Sequence, residues 1–338
     1  MDLNTIWFIL IIIILTGYAI LDGFDFGVGI IHLLNKSDED RRLSINSIGP
    51  LWDGNEVWLV VGGGALFAAF PEVYATVFSG FYNAFIILLV MLLFRGVAIE
   101  FRSKSPLPKW RKFWDVCFSL GSLGASLIFG IALGNLARGV PLDSNKNITS
   151  GFADLLNPYS LLVGLTAVSL LTLHGAIYLV MKTEGETQKN ISRHIKKMIF
   201  VFIFLYAVTT ISTFIYQPHL LDVFKKNFWL GIIPLASLLL VLNIPREIHF
   251  GREFLAFLSS SGTIALLIGL VAVGIFPNIV QSFPDPQNSL NIYNSASTKS
   301  TLTTMLIIAC IGAPLVISYT SVVYWIFRGK VKLDENSY

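Results

Sequence analysis

Nine long apolar stretches, joined by loops whose basic residues fall almost wholly on alternate connections, constrain this chain more than any other feature. Each stretch supplies the roughly 20 helical residues, at about 1.5 Å each, needed to cross a hydrocarbon core about 30 Å thick. The expected spans are 6–32, 51–70, 73–99, 113–137, 155–181, 198–217, 228–245, 254–277 and 301–327. Of the 24 Lys and Arg residues, only Arg138, Lys146, Lys225, Lys226 and Lys299 lie on loops after even-numbered spans. The other 19 follow odd-numbered spans or, for Arg95, lie near the inner end of one. Because basic loops stay cytoplasmic, the N-terminus is expected outside and the C-terminus in the cytoplasm, which an odd span count requires. The expected fold is an all-α integral membrane protein, a nine-helix bundle forming one polytopic domain over 1–338.

Composition agrees with burial against lipid rather than in a soluble core: 54% of residues are apolar, 13% are charged, and the mean hydropathy is +0.69. A net charge of +3 follows from the inward loops and points to neither an acidic partner nor nucleic acid. Met1-Asp2-Leu3-Asn4 lacks the basic start of a cleaved signal peptide, so the first span is expected to be retained. Cys117 and Cys310 sit in separate spans with no Cys-x-x-Cys spacing, which excludes a zinc or iron–sulfur motif. The longest polar connections, 138–154 and 278–300, are expected as irregular outer loops, the second because of Pro284, Pro286 and its Ser/Asn content. Asp38 to Ile48, with Leu43, Ile45 and Ile48 among charges, fits a short amphipathic helix at the inner interface. Gly23-x-x-x-Gly27, Gly62-Gly63-Gly64 and Gly130-x-x-x-Gly134 mark close helix approaches. No internal repeat is visible, so nothing argues for an inverted-repeat transporter.

Carboxylates within a span cost about 2.5–3.5 kcal/mol each on insertion scales, which makes them candidates for function. Asp22 and Asp25 share a face of the first span at i, i+3, in its inner half. Asp53 and Glu56 repeat that spacing at the start of the second, and Arg95 lies near the inner end of the third, followed by Glu100 and Arg102. Four acids and an arginine are therefore expected at one level. For Asp22 and Asp25 two readings stand: a structural ion pair, for instance with Arg95, or a proton relay. For Asp53 the choice lies between an intramembrane role, if the helix begins at Pro50, and a capping box with Glu56. Among His32, His174, His194, His219 and His249 only His174 is deep in a span, and a b-type haem usually needs two facing ligands. No haem ligand is expected in this chain.

Leu21-Asp22-Gly23-Phe24-Asp25-Phe26-Gly27-Val28-Gly29, Arg41-Arg42 and Asn46-Ser47-Ile48-Gly49-Pro50-Leu51-Trp52-Asp53-Gly54-Asn55-Glu56-Val57-Trp58-Leu59 closely resemble subunit II of cytochrome bd quinol oxidases. The resemblance continues through Gly63-Gly64-Ala65-Leu66-Phe67-Ala68-Ala69-Phe70-Pro71, Phe78-Ser79-Gly80-Phe81-Tyr82 and Phe94-Arg95-Gly96-Val97. It runs on through Phe101-Arg102-Ser103-Lys104, Gly134-Asn135 and Gly139-Val140-Pro141. It covers essentially the whole chain and is densest in the first 140 residues. The resemblance implies the non-haem subunit of a bacterial cytoplasmic-membrane oxidase that oxidises quinol and reduces dioxygen to water. In such enzymes subunit I carries two b-type haems, haem d and the quinol site. The resemblance further implies a role here in supporting subunit I and taking up protons from the cytoplasm, with Asp53 matching the family's proton-path acid. Asp22 and Asp25 match a second acidic motif. A structural quinone and a small accessory subunit are possible further components. The competing reading is a proton-coupled carrier or channel, suggested by intramembrane acids.

Overall fold

The computed structural model describes residues 2–333; the single-domain expectation over 1–338 therefore runs past the described residues at both ends. The described residues form twelve α-helices: α1 Leu3–Ile31, α2 Asp38–Ile48, α3 Trp52–Ala69, α4 Pro71–Gly80, α5 Tyr82–Phe101, α6 Pro108–Arg138, α7 Pro158–Lys182, α8 Gly185–Tyr216, α9 Asp222–Lys226, α10 Ile232–His249, α11 Glu253–Ile275 and α12 Lys299–Ile326. Eight helical segments are long and apolar enough to cross a membrane: α1, α5, α6, α7, α8, α10, α11 and α12, some extended by a flanking 3-10 turn. α3, which corresponds to the expected second span, is not among them. Its 18 residues rise about 27 Å, but it opens on Trp52-Asp53-Gly54-Asn55-Glu56. The expected span 73–99 is interrupted at Phe81, where α4 ends and α5 begins. Gly80 lies so close to Ile148, in the connection between α6 and α7, that a side chain there would collide with it.

α1 is the hub, packed against α3, α6, α7 and α11. From Asp22 to Gly29 every residue of α1 is buried, as a helix enclosed on all sides must be. Small residues permit this crowding. Gly27 meets α7 at Gly175, where a Cβ would lie 2.7 Å from the Gly175 Cα and overlap the Leu171 carbonyl; Gly130 meets Gly164 and Gly134 meets Ser160 in the same way between α6 and α7. Gly62 abuts Leu15, whereas Gly63 and Gly64 have open surroundings, so that triplet is only partly a packing device. Substituting Gly27 by Ala should cost about 1–3 kcal/mol through overpacking. Gly269→Ala, with nothing within 4 Å of the added methyl, should be neutral or slightly stabilising because Ala favours a helix. Thermal unfolding of the two purified variants checks this, and equal midpoints would count against the α1–α7 contact.

One apolar core gathers at the end of the bundle where α1 finishes, around Phe24, Ile45, Ile48, Phe118 and Tyr178. Here the expected amphipathic helix is α2, capped by Ser37, whose hydroxyl accepts the Asp40 N–H at 3.0 Å, with Ile45 and Ile48 turned inward. Partial burial pushes the Asp40 carboxyl up, but hydrogen bonds from Thr187 and Ser37 outweigh it and hold the group below its ordinary value. At the opposite end a second core surrounds Trp7, Phe70, Val280, Leu290 and Ile292. The connection 278–300 is therefore not the irregular surface loop its composition suggests. Asn278–Val280 (β1) pairs antiparallel with Leu290–Asn291 (β2), and Val280, Leu290 and Ile292 are fully buried beneath it. It also joins the other long loop, through Val140 N–H to the Gln281 carbonyl at 2.9 Å and Phe283 N–H to the Val140 carbonyl at 3.2 Å.

Candidate functional site

Asp22 and Asp25 sit one turn apart on α1, and the sequence places an arginine of α5 at the same depth. Arg95 grips Asp22 with both terminal nitrogens, Nη1 at 2.9 Å from Oδ2 and Nη2 on Oδ1, and all three of Asp22, Asp25 and Arg95 are fully buried. The guanidinium also lies 4.3 Å over the Phe26 ring. This planar, two-pronged contact suits arginine and would not be reproduced by lysine. The close approach of α5 to α6 at Gly121, 3.0 Å from the Arg95 nitrogen to a Cβ there, aims Arg95 inward.

Asp25 is held differently, without a cation of its own. The Asn55 amide of α3 donates to Asp25 Oδ2 at 2.8 Å and to the Leu21 carbonyl at 3.1 Å, while its oxygen accepts the Tyr324 hydroxyl of α12 at 2.9 Å. Asn55 thus ties α1, α3 and α12 together beside a carboxyl whose other oxygen, Oδ1, has no hydrogen-bond partner. The Arg95 Nε and the Tyr18 hydroxyl are likewise buried without one. Neither Asn55, though it stands in the Trp-Asp-Gly-Asn motif, nor Tyr324 carries a signal of this role in the sequence. An amide cannot be recognised as a clamp until its neighbours are known.

Asp53 and Glu56 occupy the first turns of α3, whose start matches neither helix start considered for Asp53. Pro50 lies in the turn before α3, so the helix is the shorter one, and Leu51 rather than Asp53 takes the N-cap position with no side-chain cap. Asp53 is the second helical residue, exposed on the surface of the single chain, where the helix N-terminus favours a negative charge. Glu56 is half-buried and within electrostatic range of Arg95, Asp22 and Asp53. The five charged residues therefore differ in burial: Asp53 is exposed, Glu56 half-buried, and Asp22, Asp25 and Arg95 enclosed, while the Asn55 bonds to Leu21 and Asp25 keep the start of α3 beside that turn of α1.

A second ionic cluster lies at the same end and centres on Asp115 of α6, a residue not singled out from sequence although it stands inside an expected span. Its carboxylate receives Arg102 Nε at 2.5 Å, His32 Nε2 at 2.7 Å and Arg41 Nη1 at 2.9 Å. Arg102 reaches on to Asp38 at 2.7 Å, and Arg111 meets the other oxygen of Asp38 at 2.7 Å. His32, Arg102 and Asp115 are buried, whereas Asp38 is 46% exposed. The cluster ties the start of α2 to α1, α5 and α6. The available signal was an acid beside the basic run Lys109-Trp110-Arg111-Lys112, opposite Arg41 and Arg102.

The chain's most deeply placed histidine does not fit an axial haem ligand. The His174 Nε2–H donates to the Ile20 carbonyl at 3.1 Å, which leaves Nδ1 to accept the Ser260 hydroxyl at 2.7 Å, and the ring stacks on Phe257 with centroids 4.7 Å apart. Both nitrogens are taken by protein groups.

The family model described as cytochrome bd terminal oxidase subunit II matches residues 3–327. Among curated relatives, the cytochrome bd ubiquinol oxidase subunit 2 of Bacillus subtilis is 36% identical over 338 residues, covering 99% of this chain and 98% of that one. The cytochrome bd-I ubiquinol oxidase subunit 2 of Escherichia coli K12 is 33% identical over 364 residues, covering 98% and 96%. The fold is similar to that of a chain in the structure of bd oxidase from Geobacillus thermodenitrificans, with a TM-score of 0.80 over 97% of this chain and 99% of that chain at 17% identity.

Proposed function

Since this chain belongs to the cytochrome bd terminal oxidase subunit II family, and so to a quinol oxidase complex with a partner subunit I, we propose that its own task is proton uptake. In this reading it is the non-haem subunit in a bacterial cytoplasmic membrane. It crosses nine times, counting α3, as a single polytopic domain, with the N-terminus outside and the C-terminus inside. The family implies haem in the complex; two b-type haems and haem d belong to subunit I, where quinol is oxidised and where the haems supply oxygen binding and reduction. The same reading extends to a structural quinone and a small accessory subunit in this assembly.

What supports proton uptake is the step in burial from Asp53 through Glu56 to the enclosed Asp22, Asp25 and Arg95. Asp53, exposed at the aqueous end of α3, collects a proton. Glu56, one turn further along, receives it within the field of Arg95. Arg95 neutralises Asp22, so that only one uncompensated carboxyl, Asp25, remains in the interior. The free Oδ1 of Asp25 is placed to hold a proton, while Asn55 fixes its other oxygen.

Asp53→Asn is expected to lower quinol-driven oxygen uptake by about tenfold or more, the scale of losing a positioned proton carrier, with haem content unchanged. Asp53→Glu should restore part of the rate. Oxygen uptake and the reduced-minus-oxidised spectrum of the purified complex distinguish the outcomes. Loss of haem would make Asp53 structural, and an unaltered rate would remove it from the path.

A further inference from the structure

A cavity of about 530 Å³ lies at the C-terminal end of α6, roughly 30 Å along that helix from Asp115. Its walls include Asn135, Arg138, Ser150, Asp154 and Asn157. Two stretches that carry the family resemblance, Gly134-Asn135 and Gly139-Val140-Pro141, belong to this cavity's surroundings, and proton uptake uses neither. The wall is built rather than accidental. Asn135 donates to the Ile131 and Leu155 carbonyls at 2.9 and 2.8 Å, and Asn157 donates to Asn135 Oδ1 at 3.0 Å.

The charges inside this frame are not satisfied by one another. Arg138 is exposed to the cavity and has no acidic partner among the described residues. Asp154 accepts the Gly151 N–H at 2.8 Å through Oδ2, which leaves Oδ1 free. The Ser150 hydroxyl is buried with no hydrogen-bond partner. A cation, a carboxylate oxygen and a hydroxyl therefore await a ligand with both an anionic and a cationic group.

The same face of α6 turns apolar toward the membrane. Ile131 and Ile128 lie one and two turns before Asn135, and with Phe81, Ile87, Phe152 and Leu156 they line a shallow apolar groove. The 3-10 turn Phe152–Leu156 separates the two, giving Asp154 to the cavity and Phe152, Leu155 and Leu156 to the groove. A polar cavity beside an apolar groove in a membrane-embedded bundle is the outline of an amphiphile.

We propose that this cavity and groove hold one zwitterionic phospholipid with a phosphoethanolamine head. Its phosphate meets Arg138 and Ser150, its ammonium meets Asp154, and an acyl chain follows Ile131 and Ile128 along α6. A head bearing phosphate alone would set a second negative charge against Asp154, and an uncharged head would leave both ionic groups unpaired.

The test uses the purified oxidase complex, delipidated in mild detergent and exposed to vesicles of phosphatidylethanolamine or phosphatidylglycerol, with bound lipid extracted and counted by mass spectrometry. Wild type should retain phosphatidylethanolamine preferentially. Arg138→Gln should bind either lipid about tenfold to a hundredfold more weakly, and Asp154→Asn should lose the preference while still binding. Haem spectra confirm that the variants assemble. Equal retention of both lipids by wild type, unchanged retention in both variants, or extraction of a quinone that Arg138→Gln abolishes would each overturn the proposal. Should Arg138→Gln fail to assemble, a photoreactive phosphatidylethanolamine on the wild-type complex must label peptides within 128–157, and labelling elsewhere overturns it equally.

Discussion

Replacing Arg95 by Gln should cost about 3–5 kcal/mol and sharply reduce the yield of assembled oxidase, because removing one member of a buried ion pair leaves the other charged and alone. Asp22 is fully enclosed, and among the described residues Arg95 is the one cation paired with it. Asp22→Asn should be similarly harmful, since it strands the guanidinium. The double variant Asp22→Asn/Arg95→Gln removes both charges, and its stability should recover most of the loss, as replacement of whole buried pairs generally does. Haem content per membrane protein and the unfolding midpoint of the purified complex measure both effects. A double variant no better than the singles would mean that the pair is needed for its hydrogen-bond geometry or chemistry, and not merely for charge balance.

The double variant also separates two readings that sequence left open. If stability returns while oxygen uptake stays low, the pair serves proton movement as well as folding. If both return, Asp22 and Arg95 are structural, and the proton route must be sought through Asp53, Glu56 and Asp25 alone.

Much of this region was legible in the sequence because helix periodicity and hydropathy act locally. The i, i+3 spacing of Asp22 and Asp25 put them on one turn, and the depth of Arg95 on a returning helix made a meeting with Asp22 foreseeable. The start of α3 was not legible, because Pro50 is equally at home in a first helical turn or in the turn before it. Only the packing of Ile48 and Leu51 into the end core decides for the latter. The crossing of Gly27 with Gly175 was half visible: the α1 glycines were marked, but α7 offered no Gly-x-x-x-Gly to match them. The buried hairpin around Val280 and Leu290 was hidden by its prolines and serines, which signal a loop and say nothing of what lies beneath it. Asp115 was not legible because its partners come from three separate segments, and no spacing rule links residues 32, 41 and 102 to 115.

That convergence makes Asp115 the site of the second large effect. One buried carboxylate receives two arginines and a histidine, so Asp115→Asn should cost about 3–5 kcal/mol by leaving Arg102 buried beside an amide that can accept at only one atom. Because Arg41 belongs to α2, the loss should be felt first as release of α2 from the ends of α1, α5 and α6. Hydrogen exchange in 36–49 should accelerate and proteolysis there should precede global unfolding, as expected when a local unit loses its anchor. Asp38 supplies the contrast. It contacts Arg102 and Arg111 yet stands 46% exposed, so Asp38→Asn should cost no more than about 1 kcal/mol. α2 is the connection between the helix carrying Asp22 and Asp25 and the helix carrying Asp53, Asn55 and Glu56. Loosening it should therefore slow quinol-driven oxygen uptake in Asp115→Asn even in complexes that retain haem. If exchange over 36–49 is unchanged while activity falls, Asp115 acts in proton uptake directly and not as the anchor of α2.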